Sequence, residues 1–178
     1  ASPTDAPALP VTERLVFITR KKFYSYDIGG IAGAHSKCQA LADAAGRSGT
    51  FKAWLSDSTG SPAQDFVKSD VPYVMTNGVK VADDWLDLIT DDGSGVFLNN
   101  SIAFDEDGVS RNSLDIWTGT NVTGMPDSNG GGTFCSDWTS TSGYARIGVS
   151  SFTDQFWTSY PFKFVPCFAS LRLYCFEQ

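Results

Sequence analysis

Histidine occurs once in the 178 residues, at position 35. That excludes chemistry built on paired imidazoles or a histidine-rich metal site. His35 itself falls in a stretch of helical period, where a structural or solvent-facing role is expected rather than that of a general base. No C-x-x-C pair brings any two of the four cysteines close together, which argues against zinc ribbons and thioredoxin-type chemistry. No apolar run approaches the roughly 20 residues of a membrane span. Serines are plentiful, but none sits in a G-x-S-x-G elbow, and Gly29-Gly30-x-x-Gly33 lacks the lysine of a phosphate loop. Positive charge is also short. Thirteen Lys and Arg face twenty Asp and Glu, a net charge of −7, which makes nucleic acid and anionic membranes poor partners.

What is present is a chain with 42% hydrophobic and 13% aromatic residues, enough for one domain with a substantial core. An even number of cysteines predicts two disulfides and an oxidising compartment; four cysteines allow three connectivities, and spacing does not choose among them. Residues 1–12 hold Pro3, Pro7 and Pro10 among small residues and read as an extended tether, leaving a domain over 13–178. No signal peptide stands at Ala1; the targeting segment of an exported chain would have been removed or would lie outside this stretch. A β-branched strand is expected at 15–19. Next comes a helix whose small and apolar positions, Ile31, Ala34, Cys38, Leu41, Ala42 and Ala45, keep to one face and which Gly46 terminates. Phe51, Ala53 and Leu55 then alternate as a strand does. Ser61-Pro62-Ala63-Gln64 has the form of a capping box, Asn77-Gly78 predicts a hairpin, and residues 83–89 suit one or two helical turns. Residues 171–176 alternate strictly, with Leu171, Leu173 and Cys175 on one face.

From Asp91 onward the chain is rich in Gly, Ser, Asn, Asp and Thr, with large aromatics at intervals. It reads as a loop-rich region pinned by big side chains, and loops on a rigid scaffold are where recognition is commonly placed. Tyr144, Phe156, Trp157 and Tyr160 would supply stacking faces, with Asn121, Asp127 and Asn129 as hydrogen-bonding groups; most of these aromatics are expected to anchor the core, and one or two to be exposed. Asp105-Glu106-Asp107-Gly108 offers oxygen ligands before a turn glycine, yet lacks the third acid and distal glutamate of a calcium loop, so a plain turn is favoured. Asp91-Asp92-Gly93 reads the same way. Asn99-Asn100-Ser101 and Asn121-Val122-Thr123 are formal glycosylation sequons.

In order along the chain stand G-x-x-G-A…C-Q-A, G-T-F-K-A-W-L-S, V-P-Y-V with D-D-W, F-D-E-D-G with I-W-T-G, F-C-S-D-W-T and the terminal L-R-L-Y-C-F-E. This succession, from about Leu15 to Glu177, resembles endostatin, and more closely a bacterial surface-protein family of lipoprotein type. The resemblance implies an α+β domain of C-type lectin-like, endostatin-like fold, with two disulfides, neighbouring first and last strands and a long loop-rich region. It also implies the pairs Cys38–Cys175 and Cys135–Cys167, the first of which would fasten the terminal strand to the early helix. Endostatin's zinc site and arginine-rich heparin surface do not carry over, and neither do the E-P-N and W-N-D signatures of calcium-dependent lectins. No cofactor, metal or catalytic residue is expected. The function implied is a non-catalytic recognition or adhesion module displayed at a bacterial cell surface, binding a glycan or surface protein through the loop-rich region. A second reading is a structural domain that assembles with copies of itself at the end of a surface fibre.

Overall fold

The computed structural model describes residues 10–127 and 134–178. Its organising strand, β1 (Arg14–Ile18), is buried on both faces: Leu15 and Phe17 project into one core, Val16 and Ile18 into another. Successive residues of this apolar run are therefore sorted between two apolar layers, not between core and water. The elements that follow are β2 (Phe23–Tyr24), α1 (Ser25–Ile28), α2 (Gly30–Ala44), β3 (Phe51–Ala53), α3 (Pro62–Asp65), β4 (Tyr73–Met75), β5 (Lys80–Ala82) and α4 (Trp85–Ile89). The loop-rich half adds β6 (Asp115–Trp117), β7 (Tyr144–Val149), β8 (Phe164–Pro166), β9 (Ser170–Leu171) and β10 (Tyr174–Glu177). The result is a mixed helix-and-sheet protein.

A five-stranded sheet of order β3-β10-β1-β4-β5 divides the molecule. β1 runs antiparallel to β10, with Phe17 opposite Cys175, and parallel to β4. One face carries α2, whose Ala34, Cys38, Leu41 and Ala42 are buried. Phe17, Phe51, Ala53, Leu173 and Cys175 share that core. The other face is a cluster of large rings centred on Trp54, which lies 4.8 Å from Trp157 and 5.5 Å from Phe176 between ring centroids. Burying each such side chain contributes about 2–3 kcal/mol, so this layer is a main source of stability. A three-stranded sheet, β6-β7-β8, and a two-stranded ribbon, β2-β9, complete the fold.

The helix boundary follows the sequence closely. Gly46 is left-handed at φ +68°, its N–H reaches the Asp43 carbonyl, and the Arg47 N–H reaches the Ala42 carbonyl, which together make a Schellman stop. Helix α2 also guards the sheet edge. Among the described residues β3 has no strand on its outer side, and its outward N–H groups at Phe51 and Ala53 donate to Gln39 Oε1 (2.8 Å) and His35 Nδ1 (3.1 Å). Two acceptors four residues apart on a helix thus match two donors two residues apart on a strand, and the edge is closed to further pairing.

Both disulfides are present, Cys38–Cys175 and Cys135–Cys167, each with Cα atoms 5.5 Å apart. The Asn77-Gly78 hairpin joins β4 and β5, and Asp84 caps α4 by accepting from the Asp87 N–H. Ser61 departs from expectation. Its hydroxyl caps nothing and lies 3.4 Å from Gln64 Oε1, because α3 is one turn held by the Ser61 carbonyl. A second departure is the helical turn Phe134–Trp138, where five consecutive non-glycine residues take φ between 44° and 60°. That turn is left-handed. Such backbone costs roughly 1–2 kcal/mol per residue, and the turn is held by the Cys135 bridge, by Trp138 packed 5.5 Å from Trp117, and by the Trp138 carbonyl accepting from the Gly29 N–H. Of the expected tether, residues 10–12 carry no regular structure and the rest lies outside the described residues.

Candidate functional site

β7 and the segment after it build the most distinctive surface of the loop-rich half. Beyond β7 the chain turns through Phe152, passes a 3-10 turn at Gln155–Trp157, and reaches β8 by way of Tyr160 and Phe162. Phe152, Phe156, Tyr160 and Phe162 form a connected patch with ring centroids 5.5–5.7 Å apart. Phe162 is 77% exposed, the most exposed large hydrophobic side chain among the described residues. The i, i+4, i+8 spacing of the first three rings brings them together, and Pro161 delivers Phe162 beside them.

Next to this patch lies a cleft of about 190 Å³ lined by Asn121, Val122, Asp127, Gln155, Ser159 and Pro161. Two buried groups set its shape. Asp127 Oδ2 lies 3.2 Å from Arg146 Nε and accepts from the Ser159 hydroxyl. Arg146 in turn donates to the Tyr160 carbonyl and lies 4.4 Å from the Phe164 ring. Loop 119–127, strand β7 and the ring-bearing segment are thereby locked together. Asn121 Oδ1 accepts from the Thr123 N–H and hydroxyl and from the Met125 N–H, which leaves its amide NH₂ for other partners.

The seven expected ligand residues are thus sorted by the fold. Phe156 and Tyr160 join the patch, and Asn121 lines the cleft. Asp127 also touches the cleft, but its carboxylate is engaged inward. Trp157 is wholly buried against Trp54 and Tyr174 and belongs to the core. Tyr144 is 58% exposed but sits opposite Pro166, at the far end of the β7–β8 pair from Phe162. Asn129 lies outside the described residues. Phe152 and Phe162 were not in the expected set; their signal was the spacing from Phe156 and Tyr160 and a phenylalanine isolated between proline and lysine.

The acids of the turn at 105–108 are engaged within the protein. Asp105 is fully buried, with Oδ2 2.9 Å from Arg111 Nε and Oδ1 accepting from the Asp107 and Val109 N–H groups. Glu106 is buried beside Arg20, and burial raises its pKa above the usual carboxylate value. Asp107 meets Arg20 Nη1 at 2.9 Å. Among the described residues no cluster of three or more His, Cys, Asp or Glu is placed to hold a metal ion. Gly33 serves packing, since a Cβ there would fall 1.9 Å from the Ile28 carbonyl oxygen, whereas Gly29 and Gly30 supply left-handed backbone at φ +78° and +74°.

A second cleft, of about 330 Å³, is lined by His35, Lys52, Thr59, Asp65 and Ile31. With Nδ1 accepting from Ala53, the neutral ring of His35 carries its proton on Nε2. Burial lowers its pKa from 6.5 to about 4, the nearby Lys52 adding to the effect and Asp65 opposing it. A folded-state value below the unfolded one means that this contribution is complete above pH 6.5 and is lost as pH falls toward 4. The full shift corresponds to roughly 3 kcal/mol, and the ring's partial exposure reduces the expected loss to about 1–2 kcal/mol. Urea unfolding of wild type and His35→Gln across this window measures it: the gap in stability should narrow from pH 7 to pH 4 by that amount, and a constant gap refutes the assignment.

Comparison with protein-family models and with curated proteins yields no match.

Proposed function

We propose that the chain is an exported, non-catalytic recognition module of C-type lectin-like, endostatin-like fold that binds a glycan through the patch and cleft of its loop-rich half. One observation carries the reading: four connected aromatic rings, one of them 77% exposed, border a cleft that presents the amides of Asn121 and Gln155 and the hydroxyl of Ser159. A pyranose offers a C–H face to stack on rings and a rim of hydroxyls for amides to bind, and sites of this type combine apolar area with a few placed polar groups. The paired first and last strands and the two nested bridges support the fold assignment, and paired cysteines fit an oxidising compartment. The non-catalytic reading is supported by His35 being committed to the sheet edge and by all four cysteines being bridged. Display at a bacterial surface rests on the sequence resemblance.

A glycan array with folded protein, run beside a pull-down against surface proteins, tests this reading. Phe162→Ala should weaken binding about tenfold or more, the 1.4 kcal/mol or so of one stacking contact, and leave the melting temperature unchanged. Retention of only protein ligands would redirect the site to a protein partner. Binding that survives both Phe162→Ala and Tyr160→Ala would remove the patch from it. Light scattering separates the rival: a stable trimer whose contact is lost with Phe162 favours self-assembly.

A further inference from the structure

We propose a second binding site, for the oxyanion of a small organic acid or ester, in the cleft where the β2–β9 ribbon meets the β6–β7–β8 sheet. The cavity measures about 320 Å³, and its lining includes Lys22, Asp115, Lys163 and Arg172 over an apolar surface from Leu114 and Leu171. Three cations from three separate stretches of chain converge there, in a protein whose acids outnumber its bases by twenty to thirteen. The one acid in the lining, Asp115, is already paired with Lys163. Neither Lys22 nor Arg172 has a carboxylate partner among the described residues.

Arg172 is held in place by the backbone around it. It bridges to Ile116, its carbonyl accepts from the Trp117 N–H at 3.0 Å, and its Nη1 donates to the carbonyls of Thr19 and Arg20. Those two carbonyls prevent the guanidinium from swinging into water. Its Nε is buried without a hydrogen-bond partner among the described residues. A buried donor left unmade costs about 1–3 kcal/mol, more when charged; burial and the nearby Arg111 disfavour the Arg172 charge, and Asp105 and Glu106 oppose them. An oxyanion in the cleft would meet the Lys22 ammonium and the Arg172 guanidinium together, two cations of the lining without a carboxylate partner among the described residues. The volume suits a sugar acid or sugar ester, with Leu114 and Leu171 against its carbon skeleton. The cleft is distinct from the four-ring patch, so each assignment stands or falls alone.

Three probes separate the sources of the anion: glucuronate, glucose 6-sulfate and glucose 6-phosphate, each at matched ionic strength, with glucose as the neutral control. Amide chemical shifts of ¹⁵N-labelled protein report binding. At least one anionic probe should give saturable shifts confined to Lys22, residues 113–115, Lys163 and residues 171–172, while glucose gives none. Lys22→Glu, an exposed position that should fold normally, should weaken binding about tenfold or more, as expected for a charge-assisted hydrogen bond. Lys21→Glu, whose side chain lines a different cleft, should leave it unchanged. Shifts that fail to saturate, or an equal loss from both substitutions, would mean only diffuse attraction to basic residues and would overturn the proposal.

Discussion

Replacing Gly148 by alanine should lower the melting temperature by roughly 10 °C or more. Gly148 lies in β7 opposite Ile116, and the backbone of Trp157 crosses directly over it. A Cβ there would fall 2.0 Å from the Trp157 carbonyl oxygen and 2.9 Å from the Thr158 Cα. Both are backbone atoms, so no side chain can rotate aside. The same carbonyl accepts from the hydroxyl of the wholly buried Tyr174 at 3.0 Å. Moving it therefore adds a broken buried hydrogen bond, about 1–3 kcal/mol, to overpacking of about the same size. The sum of about 4 kcal/mol is a large share of a typical 5–15 kcal/mol stability, and a chain of this length loses about 2–4 °C per kcal/mol. Gly46→Ala is the control: φ is +68° but nothing lies within 4 Å, so only backbone strain of about 1 kcal/mol applies. Circular-dichroism melts that place the two variants within 2 °C or so of each other would contradict this account.

The two disulfides should differ in what their removal costs. Chain entropy assigns roughly 5 kcal/mol to Cys38–Cys175, which closes 137 residues, and roughly 4 kcal/mol to Cys135–Cys167, which closes 32. The shorter bridge also holds the left-handed turn Phe134–Trp138, whose strain is released when the bridge is cut. Removing it as Cys135→Ala/Cys167→Ala should therefore cost less than entropy alone predicts. Removing Cys38–Cys175 unfastens β10 from α2 with no such relief. We expect the double alanine variant at 38 and 175 to be the less stable by about 2 kcal/mol or more in urea. The variant at 135 and 167 should instead show a changed near-ultraviolet signal, as Trp138 leaves Trp117. Equal urea midpoints with unchanged tryptophan signals would sink both parts.

The first half of the chain was legible because local rules and the global fold agree there. Helix α2 carries its period, its stop signal and its cysteine in sequence, and the alternation at 51–55 and 171–176 is carried through to the two cores, although the second stretch is divided between β9 and β10 of different sheets. The loop-rich half resisted for physical reasons. Right-handed backbone is the default for Phe-Cys-Ser-Asp-Trp, and only tertiary contacts and a covalent bridge reverse it. Whether an aromatic faces water or the core depends on turns that composition does not encode, so Trp157 turned inward while Phe162, outside the expected set, became the most exposed ring. Asp127 shows the same limit: an acid in a polar loop reads as available until Arg146, nineteen positions along, claims it. The crossing above Gly148 left no local trace at all.

The position of β10 between β1 and β3 has a consequence for how the molecule is made. Until residue 177 leaves the ribosome, the central strand of the larger sheet lacks its neighbour on one side. At ordinary synthesis rates about 160 residues remain open for roughly ten to thirty seconds. Through that interval Cys135 and Cys167 emerge ahead of Cys175, so the partner of Cys38 is the last of the four cysteines to be made. The larger sheet of such a chain is completed last, by the strand made last.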